Sequence, residues 1–109
     1  MPYISENRRK NLDGCINEIV LCLKRNIDEN KSPFHIENIS NEEFLSIIGD
    51  INYTFSRVIS SLMCDVSYSK IAMITGVLEN IKQEYYRRIG CPYEDKKILE
   101  NGDIKEYKR

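Results

Sequence analysis

The chain reads as an all-α protein: three amphipathic helices, over about residues 6–28, 41–64 and 68–89, with a polar C-terminal extension. Two observations predict this class. Apolar residues recur at helical steps in three separate stretches. Each stretch also has a serine near its start, and the first and third are followed by Asn, Gly or Pro.

Ser5 is placed to cap the first helix. Leu12, Ile16, Ile19, Leu23 and Ile27 follow at steps of four, three, four and four, which puts them on one face. Gly14 weakens the middle by roughly 1 kcal/mol relative to Ala. The stripe continues on both sides of it, so the helix is retained. Asn30-Lys31-Ser32-Pro33 opens a connector that runs to Ile39, because Pro33 drives Ser32 away from helical angles.

Ser40 and Glu43 fit a capping box at the start of the second helix. Phe44, Ile48, Ile51, Phe55, Val58 and Leu62 form its stripe, and Leu45, Ile47, Ile59 and Met63 widen it. This pattern predicts the most buried helix of the three. The third begins near Ser67 or Ser69 and carries Ile71, Ile74, Leu78, Ile81, Tyr85 and Ile89. Gly90 suits a left-handed C-cap and Pro92 a stop. Arg87 and Arg88 complement the negative end of the helix dipole. The extension from Cys91 to Arg109 has Ile98, Leu99 and Ile104 as its aliphatic anchors, and Asn101-Gly102 marks a turn. It is expected to pack on or near the end of the third helix.

A length of 109 residues suits a single domain, spanning 1–109. With 41% apolar and 30% charged residues the balance is that of a folded soluble protein. Sixteen basic against seventeen acidic residues leave a net charge of −1, which argues against a nucleic-acid partner. No apolar run reaches the roughly 20 residues a membrane span needs. The N-terminus has no apolar signal core, so a cytoplasmic location is expected. In that compartment Cys15, Cys22, Cys64 and Cys91 stay reduced, and they are expected to be buried as small hydrophobes.

No G-x-S-x-G, P-loop or H-E-x-x-H pattern occurs, and His35 and Cys91 have no evident third partner. Cys15 and Cys22 lie about 10 Å apart along a helix, too far to share a metal. A non-catalytic protein without cofactor or metal is the expectation. The richest recognition set is Tyr86, Arg87, Arg88, Tyr93, Lys96 and Lys97. Guanidinium forks match phosphate geometry, and tyrosine rings stack on bases. Glu94-Asp95-Lys96-Lys97 reads as a solvated surface turn or, equally, as a segment in which Glu94 and Asp95 pin Arg87 or Arg88 and leave Lys96 or Lys97 free for a partner. A second stripe, Gly76, Asn80, Gln83 and Arg87, reads as an exposed face with an incidental glycine or as a contact between subunits, with Gly76 as the point of close approach, or one wall of a polar pocket.

Ile74-Thr75-Gly76-Val77-Leu78-Glu79, Tyr86-Arg87-Arg88, Pro92-Tyr93-Glu94-Asp95-Lys96-Lys97 and Glu100-Asn101-Gly102-Asp103, with the opening Met1-Pro2-Tyr3-Ile4, together carry a resemblance. The chain resembles a family of short bacteriophage-encoded proteins of unknown function, closely over about residues 70–107. The resemblance implies a phage or prophage origin, a host-cytoplasm location and a mainly helical fold, and it supplies no activity. Small oligomeric helical phage proteins include sponges that sequester cyclic oligonucleotide or cyclic ADP-ribose immune signals. By that analogy a homo-oligomer that binds an anionic nucleotide is expected. A module that docks on a host or phage protein through the C-terminal segment is the alternative.

Overall fold

The computed structural model describes residues 3–108; Met1 and Pro2, the start of the N-terminal signature, and Arg109 lie outside the described residues. The fold is all-α, and among the described residues there is no strand. The chain divides into two units, 3–66 and 67–108.

In the first unit, α1 (Glu6–Arg25) starts where Ser5 Oγ accepts from the Arg8 N–H at 3.4 Å. It ends at Arg25, short of the residue 28 expected from its stripe. The reason is local: Asp28 Oδ1 accepts from the Asn30 N–H at 3.0 Å, and its carbonyl accepts from the Lys31 N–H at 3.2 Å. A carboxylate bonded to the backbone two residues on stabilises a turn instead of another helical turn.

The expected second helix is two helices, α2 (Asn41–Ser46) and α3 (Ile48–Met63). The break falls at Ile47, where φ is −107° and ψ 5°. Ser46 Oγ donates to the Glu43 carbonyl at 2.6 Å, and the Ile47 N–H turns back to Phe44 O at 3.1 Å. A hydroxyl that occupies a helix carbonyl loosens the ladder at that point. The kink also places Ile47 out of water, at 4% exposure, a level shared by Ile36 of the connector.

The capping box at the start of α2 forms as its residue spacing predicts. Glu43 N–H donates to Ser40 Oγ, and Ser40 N–H to Glu43 Oε1, both at 3.1 Å. Ser40→Ala removes one of these bonds and is expected to cost about 1 kcal/mol in urea unfolding. Asn41→Ala, on the same turn with no part in the box, is expected to stay within about 0.5 kcal/mol.

Burial is the main departure from expectation. Ile36 and Ile47 are the buried apolar side chains among the described residues. α3 contains no buried residue, although its sequence points to the most buried helix. Phe55, Val58 and Leu62 face solvent, as do Leu12, Ile16 and Val20 of α1. The four cysteines are free and exposed rather than buried. Periodicity marks which face of a helix is apolar; within each unit no second element lies over most of that face.

The second unit begins at Ser67, whose Oγ accepts from the Lys70 N–H at 3.1 Å to start α4 (Tyr68–Tyr85). The helix does not stop at Gly90. Gly90 is helical, at φ −67° and ψ −50°. Residues Tyr86–Gly90 form a π-turn, in which the Cys91 N–H donates to the Tyr86 carbonyl. The chain then continues as α5 (Cys91–Asn101). The expected non-helical extension is therefore mostly helix, and α4, the π-turn and α5 make one rod about 50 Å long.

Pro92 explains the π-turn. A proline inside an α-helix lacks its N–H and clashes with the carbonyl four residues back. Widening the turn to five-residue bonds just before Pro92 admits the ring near the start of α5 without breaking the rod. The left-handed glycine is Gly102 instead, at φ +82°, whose N–H bonds Ile98 O at 2.8 Å and ends α5. Asn101-Gly102 thus turns the chain as its composition predicts, but as a helix end.

Candidate functional site

The six candidate side chains lie along the C-terminal part of the rod, and the structure does not gather them into one site. Arg87 and Arg88 both turn back to Glu84 and not forward to Glu94 or Asp95. Arg87 Nη2 lies 2.9 Å from Glu84 Oε1 and 3.0 Å from Oε2, and Arg87 Nε is 3.2 Å from Oε1. Arg88 Nε is 3.4 Å from Glu84 Oε2. Helical spacing is the cause: residues three and four apart share a face, so one carboxylate serves both guanidinium groups. Glu94 and Asp95 lie beyond the π-turn, on the next helix.

Tyr86 lies against Gly90. A Cβ built at Gly90 would sit 2.7 Å from Tyr86 Cδ2 and 3.0 Å from Cε2, so the missing side chain makes room for the ring. Gly90 serves close approach and not the left-handed angle expected of it. Gly76, the expected point of approach between subunits, has nothing within 4 Å of a built Cβ.

Tyr86 and Arg87 line a shallow groove of about 370 Å³ together with Glu79, Lys82, Gln83 and Cys91. Gln83 Nε2 donates to Glu79 Oε1 at 3.1 Å, and Lys82 Nζ is 4.0 Å from the same oxygen. The groove therefore holds an ammonium, a guanidinium and an amide, each beside an acidic partner, together with the Tyr86 ring, which lies against Gly90. Gln83 and Arg87 belong to the polar stripe visible in the sequence. Lys82 and Glu84 escaped notice there. Glu84 had a usable signal, because it precedes Arg87 and Arg88 by three and four residues on one helix.

Tyr93, Lys96 and Lys97 lie outside this groove. Lys97 Nζ stands 5.5 Å from the Tyr93 ring centroid and 3.1 Å from Glu100 Oε2. A cation at that distance from a ring centroid is held by the ring quadrupole, here in competition with a carboxylate. Lys96 is exposed.

The unit 3–66 has a larger concavity, about 500 Å³, lined by Ile19, Tyr53, Thr54, Arg57, Val58 and Leu62. Beside it, Asn26 Nδ2 donates to Asp50 Oδ2 at 3.2 Å and ties the end of α1 to the start of α3. Ile19, Val58 and Leu62 are its aliphatic walls; the Arg57 guanidinium and the hydroxyls of Tyr53, Thr54 and Ser61 line it as well, with Thr54 Oγ1 donating to the Asp50 carbonyl at 2.7 Å. Among the described residues no three His, Cys, Asp or Glu side chains converge to hold a metal. No helix among the described residues is long and apolar enough to cross a membrane.

No curated protein and no solved structure matches the chain. A family model does, over residues 1–104, and that span takes in every element described above through Gly102. The chain therefore belongs to the family described as a domain of unknown function, DUF6899.

Proposed function

We propose that this is a non-catalytic phage protein that self-associates in the host cytoplasm and sequesters an anionic nucleotide signal of the cyclic oligonucleotide or cyclic ADP-ribose type. The observation that supports this reading is the groove beside the π-turn, where the Tyr86 ring, the Arg87 fork, Lys82 and Gln83 line one concavity. Arg87 matches a phosphate bidentately and Tyr86 offers a base its face. At about 370 Å³ the groove is at the small end of ligand sites, which suits one nucleotide unit per protomer.

The ion pairs do not stand in the way. Arg87 and Glu84 are 62% and 29% exposed, and pairs of that kind contribute about 1 kcal/mol or less. A phosphodiester or pyrophosphate group presents two oxygens in the same geometry as the carboxylate and competes with Glu84 for the fork. Glu84 then becomes an unfavourable neighbour of the ligand.

Calorimetry against cyclic di- and trinucleotides and cyclic ADP-ribose isomers is the test. Binding is expected for at least one, with affinity reduced about tenfold in Arg87→Ala, the order of one charge-assisted hydrogen bond. Glu84→Gln is expected to raise affinity severalfold, because it removes the competing charge and keeps the shape. A folded sample that gives no heat with any of these ligands sinks the proposal.

The alternative, docking of a host or phage protein on the C-terminal segment, draws on a different observation. Leu99 and Tyr107 are among the most exposed large side chains of the second unit, at 88% and 73%. Pull-down of a stoichiometric protein that is lost with Leu99→Asp, together with silent calorimetry, favours that reading.

A further inference from the structure

The rod carries a second face that the groove does not use. Ile71, Ile74, Leu78, Ile81 and Tyr85 follow at steps of three, four, three and four, the heptad spacing of a helix–helix seam. The next stripe residues, Ile89 and Tyr93, come at two further steps of four. In an unbroken α-helix those two steps would carry the line about 80° round the axis. The extra residue of the π-turn at Tyr86–Gly90 takes back roughly that rotation. Ile89 and Tyr93 are thereby held in line with the stripe of α4, and the apolar line runs unbroken from Ile71 to Tyr93. The π-turn that admits Pro92 also keeps the seam straight.

We infer that this line is the surface on which a second copy of the same segment packs, helix along helix, to form a homodimer. Length singles out the occupant. From Ile71 to Tyr93 the line is about 33 Å long. α3 has 16 residues and spans about 24 Å, and the apolar positions of α1 from Leu12 to Leu23 span about 17 Å. Among the described residues only another α4–α5 rod presents an apolar line of equal length. Area agrees. Ile71, Leu78, Ile81, Tyr85, Ile89 and Tyr93 are between 42% and 67% exposed. Together they present roughly 700 Å², close to the ~800 Å² per partner of a standard stable interface. This inference is independent of the nucleotide reading. Gln83, Arg87 and Cys91 of the groove lie well round the axis from the line, while Lys82 borders it, so pairing leaves the Arg87 side of the groove open.

Sedimentation equilibrium of the full chain across the micromolar range is expected to show a dimer; a monomer throughout overturns the inference. The face is identified by cross-linking in a background with all four cysteines replaced by serine. Position 81 is near the middle of the line, where two copies meet whether they run parallel or antiparallel. Ile81→Cys is expected to form a disulfide-linked dimer on mild oxidation, and Asn80→Cys, on the other side of the rod, is not. A dimer in which Asn80→Cys links as well as Ile81→Cys, or in which Ile81→Cys does not link, also overturns it. Circular dichroism on each variant establishes that it is folded, and wild-type sedimentation decides the dimer by itself if a variant is not. Nucleotide calorimetry on the same dimer reads the groove separately, so either idea can fail while the other stands.

Discussion

Ile47→Ala and Ile36→Ala are each expected to destabilise the 3–66 unit by about 2–4 kcal/mol, the range for large-to-small changes at buried isoleucines. These are the two side chains withdrawn from water, each at 4% exposure. Besides these two, the apolar side chains described in this unit are half-buried or exposed. Loss of three carbons from either leaves a cavity that no neighbouring core can refill. Ile47 also marks the break between α2 and α3. Leu45→Ala, two residues away at 73% exposure, is the control and is expected to change stability by less than about 0.5 kcal/mol. Urea denaturation followed by circular dichroism at one fixed protein concentration gives the three values. The concentration is held fixed because association contributes to apparent stability. Equal effects at positions 45 and 47 would show that the kink does not organise this unit.

The second large effect is a change of sign at Gly90. Glycine inside a helix is normally about 1 kcal/mol worse than alanine, so Gly90→Ala at helical angles would ordinarily stabilise. Here the new Cβ would stand 2.7 Å from Tyr86 Cδ2. Gly90→Ala alone is expected to destabilise by about 1 kcal/mol, because the ring must leave its place or the π-turn must deform. In a Tyr86→Ala background the obstacle is gone, and the same substitution is expected to stabilise by about 1 kcal/mol. The coupling of about 2 kcal/mol falls in the range for residues in direct contact. A thermal or urea double-mutant cycle measures it. A Gly90→Ala effect of the same sign in both backgrounds would mean that the ring is not confined against residue 90. The cycle also bears on ligand binding, since the Tyr86 ring forms one wall of the groove.

Local chemistry was legible in the residues. Ser5, Ser40 and Ser67 each cap the helix they precede, because a hydroxyl one residue before a helix answers an N–H that would otherwise lack a partner. The reciprocal bond from Glu43 could be read from its spacing to Ser40. Gly90 and Pro92 misled for a definite reason. The pair usually ends a helix, yet one extra residue per turn lets the chain pass a proline. That choice depends on the helix being long enough on both sides to resist termination. Glu84 was passed over in favour of Glu94 and Asp95, which are grouped with the arginines by motif but not by helical face. Of the six candidate residues, the groove collects Tyr86 and Arg87. The other four fall elsewhere because a rod spreads neighbouring residues round its axis.

By itself the sequence determined the all-α class, the starts of α1, α2 and α4 and the apolar stripes of its three helical stretches. These depend on propensity, capping and period, which act over a few residues. Tertiary structure decided the kink at Ile47, the π-turn and the continuation into α5. It also decided that most apolar stripe residues stay exposed or half-buried instead of forming a closed core. Periodicity fixes the direction of an apolar face, and only the placement of whole helices decides what covers it.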